Sequence, residues 1–286
     1  MLENIGTKKV FIKIDLRWGY NNVRIKEGDE WKAAFTIPKG SFEPMVMFFG
    51  LTNLPATFQA MTSELLRDLI NTGKVATFID NVIIRMEMEE EYNKIVAEVI
   101  RRLEENDLYV KLEKCKWKMR KVGFLGVVIR PEGIKIEKEK IREVLEWLTP
   151  KCVKDIQKFL GLANYYHQFI QGFASIARPL HDMVKKDRKW EWIEKQERAF
   201  EKLKKRFTQK PVLAVPDLDK KMRMEVDVSD YVMGGMLSMK EEEKWKPVAF
   251  LSKSLNETEI NYEIHNKEIL AIIRGLESWR HLLEGA

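Results

Sequence analysis

Two short apolar runs in this chain are each broken by a carboxylate, and that pattern limits what the chain can fold into more than any other. Val10-Phe-Ile-Lys-Ile-Asp15-Leu reads as a strand with Asp15 near its C-terminal end. Val75 to Ile84 reads as an apolar strand pair interrupted at Asp80-Asn81, which would then sit in a tight hairpin turn. Burying an unpaired carboxylate costs several kcal/mol unless a cation or hydrogen bonds compensate. Two such groups on neighbouring strands would converge on a divalent metal, and an all-oxygen ligand set suits Mg²⁺ or Mn²⁺. A strand-end Asp that caps a turn accounts for either residue singly just as well.

Between and beyond these runs the apolar spacing changes period. Asn21-Asn-Val-Arg-Ile reads as a second strand, with Gly19-Tyr20 before it and Glu27-Gly-Asp-Glu as a turn after it. Phe58, Met61, Leu65, Leu66 and Leu69 predict one helix from about Pro55 to Ile70, with Asn53 ahead of it and Gly73 behind. Ile95, Val96, Val99, Ile100 and Leu103 predict a second over Glu89 to Asn106. Gly123 to Ile136 reads as a hairpin with Pro131-Glu-Gly at its turn, and helical segments follow from about Glu137 to Lys205, rich in aromatic residues. Lys210-Pro-Val-Leu-Ala-Val-Pro marks a boundary. Met222–Val228, Gly234–Met239 and Pro247–Ser252 then look like strands, and Glu257 to Leu283 like a helix.

Composition narrows the partners. The 286 residues carry 50 Lys+Arg against 44 Asp+Glu, and the net charge of +6 suits a polyanion better than an acidic partner. The two cysteines, Cys115 and Cys152, have no metal-ligand spacing, which argues against a disulfide framework and fits a reducing compartment. No stretch reaches the roughly 18–20 apolar residues that span a bilayer, so the expectation is an intracellular protein, cytoplasmic or nuclear, with no membrane partner. A strand-like run beginning at Val10 and an end directly after a helix suggest a fragment.

The words around the two carboxylates are more specific. Phe11-Ile-Lys-Ile-Asp15-Leu-Arg-Trp-Gly-Tyr20 resembles the first catalytic motif of gypsy-type LTR retrotransposon reverse transcriptases. Lys32-Ala-Ala-Phe, Gly50-Leu-Thr-Asn-Leu-Pro-Ala-Thr-Phe-Gln59, Phe78-Ile-Asp80-Asn81, Gly123-Phe-Leu-Gly126 and Phe159-Leu-Gly-Leu-Ala-Asn-Tyr-Tyr166 follow in that family's order. Met224-Glu-Val-Asp227-Val-Ser-Asp230 and Asn261 to Ala271 resemble the opening of a ribonuclease H domain.

The resemblance implies an α+β chain in three parts. These are a reverse transcriptase palm over 1–135 (an antiparallel sheet with helices on one face, and remnant fingers), a helical thumb over 136–209, and a partial ribonuclease H-like α/β domain over 210–286. It implies two-metal nucleotidyl transfer onto a primer 3′-hydroxyl with Mg²⁺ or Mn²⁺, an RNA or DNA template-primer and deoxynucleoside triphosphates as partners. Asp15 would bridge both metals and Asp80 would be the second ligand, with Asn81 beside it. Leu16, Arg17, Tyr20 as an aromatic steric gate, and Phe49 would bind the nucleotide. Phe124, Leu125 and Gly126 would grip the primer. A basic run from Lys111 to Lys121 leads into that grip, as a phosphate contact or simply a solvated face. Asp227 and Glu268 would be metal ligands of the ribonuclease H part.

Three departures weaken the expected activity. Asn81 stands where the family carries a second Asp, which removes a charge but keeps an oxygen. Little chain precedes Asp15, where the family has basic fingers. The family's ribonuclease H needs two further Asp beyond Glu268, so that activity is not expected here. Phe48 and the Met-rich run Tyr231 to Met236 depart as well, in the manner of an element copy no longer selected for transposition. Besides an impaired polymerase, the chain therefore fits a non-catalytic nucleic-acid-binding module or a decayed element fragment.

Overall fold

The computed structural model describes residues 10–86, 91–186, 188–209 and 212–284, so the start of the second expected helix at Glu89 and the Lys210-Pro211 end of the expected boundary lie outside the described residues. The chain divides into two compact units, Met1–Val122 and Gly123–Ala286.

The first unit is built on β1 (Val10–Arg17). Two small strands, β2 (Phe35–Ile37) and β3 (Gly40–Phe42), form a separate hairpin. Helices α1 (Leu54–Leu65) and α2 (Arg67–Asn71) precede β4 (Val75–Phe78) and β5 (Asn81–Met86), and α3 (Tyr92–Glu105) precedes the short β6 (Tyr109–Val110) and β7 (Lys116–Met119). The sheet runs β4-β5-β1-β6, with β7 also paired to β1, and every pairing is antiparallel. Side chains alternate along a strand, so the register assigns faces. Ile12, Ile14 and Leu16 of β1 lie beside Val82, Ile84 and Met86 of β5 in one core with Leu54 and Phe58 of α1 and Ile95, Val96, Val99 and Leu103 of α3. Each such burial contributes roughly 1.5–3 kcal/mol. Asp15, opposite Asn81, is left on the other face.

Three expectations for this unit change. The helix expected from Pro55 to Ile70 is two helices, parted at Leu66 (φ −112°, ψ 17°). The Thr62 hydroxyl donates back to the carbonyls of Phe58 (3.0 Å) and Gln59 (3.2 Å), a bond that competes with helix geometry. Arg102 of α3 caps the break by donating to the Leu65 carbonyl at 3.1 Å, while pairing with Asp68 and Glu98. The strand expected over 21–25 is a 3₁₀ turn, Gly19–Asn22, followed by a single bridge between Arg24 and Val46. Trp18 takes a left-handed conformation (φ 49°) that ends β1, and a side chain at Gly19 would meet the Phe58 ring at 2.5 Å. Finally, the residues at the tip of the second hairpin are Ile79 and Asp80, because Phe78 pairs with Asn81, which opens β5.

The second unit begins with a meander of β8 (Val122–Phe124), β9 (Val127–Arg130) and β10 (Gly133–Ile136), one turn more than the single hairpin expected there. Helices α4 (Lys138–Leu145), α5 (Val153–Tyr165), α6 (Phe173–Val184) and α7 (Glu194–Thr208) pack through aromatic rings. Phe159 meets Phe200 at 4.6 Å and Tyr166 meets Phe207 at 6.0 Å. An antiparallel sheet β11 (Met222–Val228), β12 (Val232–Glu241), β13 (Lys244–Ser254) follows, then α8 (Glu257–Ile260), α9 (Ile264–Ser278) and α10 (Arg280–Leu283) in place of one continuous helix. Asn256 and Glu259 form a reciprocal capping box that opens α8 where the helix was expected to begin, and the first interruption falls between Ile260 and Ile264.

Candidate active site

Asp15 and Asn81 are direct partners across the β1–β5 ladder, and directly opposed residues project from the same face. Asp80 joins them from the turn. Its carbonyl accepts the Leu16 N–H at 2.8 Å, and its Oδ1 accepts a hydrogen bond from Asn81 Nδ2 at 2.7 Å. Asn81 Oδ1 is buried and has no hydrogen-bond partner. An orphaned amide oxygen on a residue that faces Asp15 across the ladder and bonds to Asp80 is a donor set that fits a hard divalent cation, with water and substrate oxygens left to complete its shell. Among the described residues no group of three or more His, Cys, Asp or Glu collects, so the candidate site has two carboxylates and an amide where a third carboxylate would carry more charge.

The turn that presents Asp80 is strained. Ile79 has φ +53°, a left-handed conformation that costs a β-branched residue on the order of 1–3 kcal/mol. Gln59 of α1 holds it there, its Oε1 accepting the Ile79 N–H at 2.7 Å. No spacing rule pointed to Gln59, although it ends a run already singled out for its resemblance.

Tyr20 sits in the 3₁₀ turn rather than between strands, edge-on to Phe49 (5.3 Å) and Phe58 (5.1 Å). Burial, and then the nearby Asp80 charge, push its hydroxyl pKa up, so Tyr20 stays a neutral donor close to the Asp80 carboxylate. Phe49 is 77% exposed, an aromatic face open to a ligand. Arg17 is exposed, with its guanidinium 5.1 Å from the Trp18 ring centroid. Leu16 does not fit a nucleotide contact, since its side chain lies in the core and its N–H is already bound to Asp80. Asp15 also lies near Cys115, whose thiol pKa is raised by burial first and lowered by a backbone hydrogen bond to Asp15.

In the second unit Leu125 (φ +53°) and Gly126 (φ +75°) form the turn between β8 and β9, with the Phe124 side chain buried beneath it. Positive φ at both central residues is the geometry of a two-residue hairpin whose twist matches its strands. Tyr165 donates to the Leu125 carbonyl at 3.0 Å and Tyr166 to the Gly126 carbonyl at 3.3 Å. A side chain at Gly126 would meet the Tyr166 hydroxyl at 2.1 Å, so the turn is packed without spare room. Burial pushes the Tyr166 pKa up to about 12, with Tyr165, Glu137 and Glu143 adding to it. The basic run becomes a 3₁₀ turn, Leu112–Lys114, and the mostly exposed β7.

The two ribonuclease H candidates lie on different elements of the second unit, β11 and α9. Asp227 is exposed on β11 and its Oδ1 accepts the Val228 N–H at 2.9 Å. Met224 and Val226, on the alternate face, are the side chains that meet Gly275 of α9, so Asp227 points away from that packing. Glu268 is exposed on α9, whose buried positions are Lys267, Ala271 and Gly275.

Residues 1–129 match the family model described as reverse transcriptase (RNA-dependent DNA polymerase), and residues 192–286 match the RNase H-like domain found in reverse transcriptase. The reverse transcriptase match takes in the strands and turns that carry Asp15, Asp80 and Asn81. The Tf2-7 and Tf2-8 transposon polyproteins of Schizosaccharomyces pombe are each 36% identical to it over 285 residues, covering 99% of this chain and 21% of each polyprotein. The chain thus spans about a fifth of the length of the curated relatives it matches. In fold, the chain is similar to a foamy viral protease-reverse transcriptase solved with an RNA/DNA hybrid (TM-score 0.84, 23% identity, 99% of this chain and 38% of that one). It is equally similar to the same protein solved with double-stranded DNA (TM-score 0.83, 23% identity, 99% and 59%). Both support the α+β architecture.

Proposed function

We propose that the chain is the palm, thumb and first half of the ribonuclease H-like region of a gypsy-type retrotransposon polymerase, and that its first unit carries an RNA-directed DNA polymerase site. The division by role, palm to 135, thumb over 136–209 and ribonuclease H-like half from 210, follows the motifs rather than the compact units. The observation that carries the reading is the Asp15–Asn81 register with Asp80 bonded to Asn81 and an amide oxygen left over.

Asp15, Asp80 and Asn81 would hold Mg²⁺ or Mn²⁺, which when bound supplies charge neutralisation for a primer hydroxyl and a triphosphate. Tyr20, fixed against Phe58, would lie under the incoming sugar, with its ring positioned to reject a 2′-hydroxyl, and Phe49 would flank the nucleotide. The Leu125-Gly126 turn would hold the primer backbone. Template-primer, RNA or DNA, and deoxynucleoside triphosphates are the substrates this reading requires.

The test is a metal titration of primer extension. Asp15→Ala abolishes extension, and Asn81→Asp moves its midpoint to lower Mg²⁺, because a third carboxylate restores about one negative charge to the site. Unchanged extension in Asp15→Ala would remove the polymerase reading of the site.

A second reading has its own support. Asn81 in place of an acid, together with the occupied Leu16 N–H, favours a module that grips nucleic acid without chemistry. Its mark is affinity for an RNA–DNA hybrid that falls steeply with salt, at every metal concentration and without extension.

A further inference from the structure

We infer that Gln59 is a positioning residue for Asp80, acting through the backbone of Ile79. The amide of Gln59 reaches from α1 to the end of β4 and the first residue of the turn. Its Oε1 accepts the Ile79 N–H at 2.7 Å, and its Nε2 donates to the Thr77 carbonyl at 3.2 Å, to the Thr77 hydroxyl at 3.2 Å and to Ser63 Oγ at 2.9 Å. The orientation of the amide is settled by its partners, since a backbone N–H can only donate and a backbone carbonyl can only accept. One side chain therefore clamps the last residues of β4 and the first residue of the turn.

The clamp matters because the turn does not hold itself. Ile79 sits at φ +53°, where glycine is at ease and a β-branched residue is not. Released, Ile79 would return to an extended or helical backbone and carry Asp80 with it. The other holds on Asp80 are the Leu16 N–H on its carbonyl and Asn81 Nδ2 on its Oδ1, which fix those oxygens but not the approach of the chain from Phe78. Gln59 thus decides whether the Asp80 carboxylate stays beside Asn81. The inference rests on the reading of Asp80 as a metal ligand.

The experiment uses the whole chain and two readouts that need no turnover: amide hydrogen exchange at Ile79, and Mn²⁺ affinity by electron paramagnetic resonance. Gln59→Leu removes every bond of the clamp. It should speed exchange at Ile79 and weaken Mn²⁺ binding, each about five- to tenfold, the range expected for one lost hydrogen bond. Gln59→Glu keeps an acceptor for Ile79 and should leave its protection within about twofold of the parent. That variant also keeps the question decidable should Gln59→Leu fail to fold. Adding Ile79→Gly to Gln59→Leu should restore Mn²⁺ affinity, because glycine holds a left-handed turn unaided; a purely structural Gln59 would show no such rescue.

Unchanged exchange and affinity in Gln59→Leu, equal loss of protection in Gln59→Glu, or a loss of affinity that Ile79→Gly does not repair would each overturn the inference. Asp80→Ala separates the two levels. If it leaves Mn²⁺ binding intact, the metal-ligand reading falls, and exchange at Ile79 still reports on the clamp.

Discussion

The Ile79-Asp80 and Leu125-Gly126 turns set the same problem and solve it differently. Each joins two antiparallel strands with two residues, and each puts a bulky aliphatic residue at positive φ. The first contains no glycine, and an amide from α1 holds it by accepting the N–H of the strained residue. The second has glycine at its second position, and two tyrosine hydroxyls at the C-terminal end of α5, those of Tyr165 and the following Tyr166, hold it by donating to its carbonyls. The first turn is therefore imposed from outside against local preference. The second agrees with local preference at Gly126 and is tightened by packing. The weak point should accordingly be a helix residue in one case and the turn residue itself in the other.

The largest effect expected from this contrast is at Gly126. Gly126→Ala forces a side chain into the left-handed region and displaces the Tyr166 hydroxyl, which would stand 2.1 Å from the new carbon. Conformational strain and the lost hydrogen bond together should cost about 2–3 kcal/mol. Urea unfolding measures it, and a cost below about 1 kcal/mol would mean that the second turn tolerates what the contrast says it cannot.

Next comes Tyr166. Tyr166→Phe removes one donor to the turn and should cost about 1 kcal/mol at neutral pH. The pH dependence is the sharper reading. The folded-state pKa is pushed up to about 12 from 10.0, so the folded chain keeps this proton where the unfolded chain loses it. The contribution is complete below pH 10 and disappears as pH rises from about 10 towards 12. Tyr166→Phe should therefore flatten the alkaline fall in stability over that window, and an equally steep fall in the variant would assign the alkaline loss elsewhere.

The smallest effect belongs to Ile79. Ile79→Gly relieves backbone strain but adds freedom to the unfolded chain, and the two nearly cancel, leaving about 0.5 kcal/mol of stabilisation. Destabilisation by more than about 1 kcal/mol in the same unfolding assay would show that the Ile79 side chain packs more than it strains, and would blur the distinction between the turns.

Much of this arrangement was legible from residues alone. The lone carboxylates in apolar runs marked Asp15 and Asp80, and the motif around them added Asn81, Tyr20 and Phe49, which the structure gathers around β1, its following turn and the β4–β5 hairpin. Leu16 was carried along by the motif, yet period-2 alternation already placed it with Ile12 and Ile14 on the buried face. Asp227 and Glu268 were singled out by resemblance and lie exposed on β11 and α9, and no sequence pattern tells which face of β11 will meet α9.

Alternation, helical spacing and turn chemistry are written in windows of a few residues. For that reason the sequence by itself determined β1, the β4–β5 hairpin, the strands β11 to β13 and the location of the carboxylates. Conformations that run against local preference required partners from distant parts of the chain. Gln59 and Ile79 lie twenty positions apart, and Arg102 reaches a carbonyl thirty-seven positions away at the α1–α2 break. Only packing of helix against strand brings such groups within hydrogen-bonding distance, so the left-handed Ile79, the break at Leu66 and the 3₁₀ turn at Tyr20 were decided by tertiary structure.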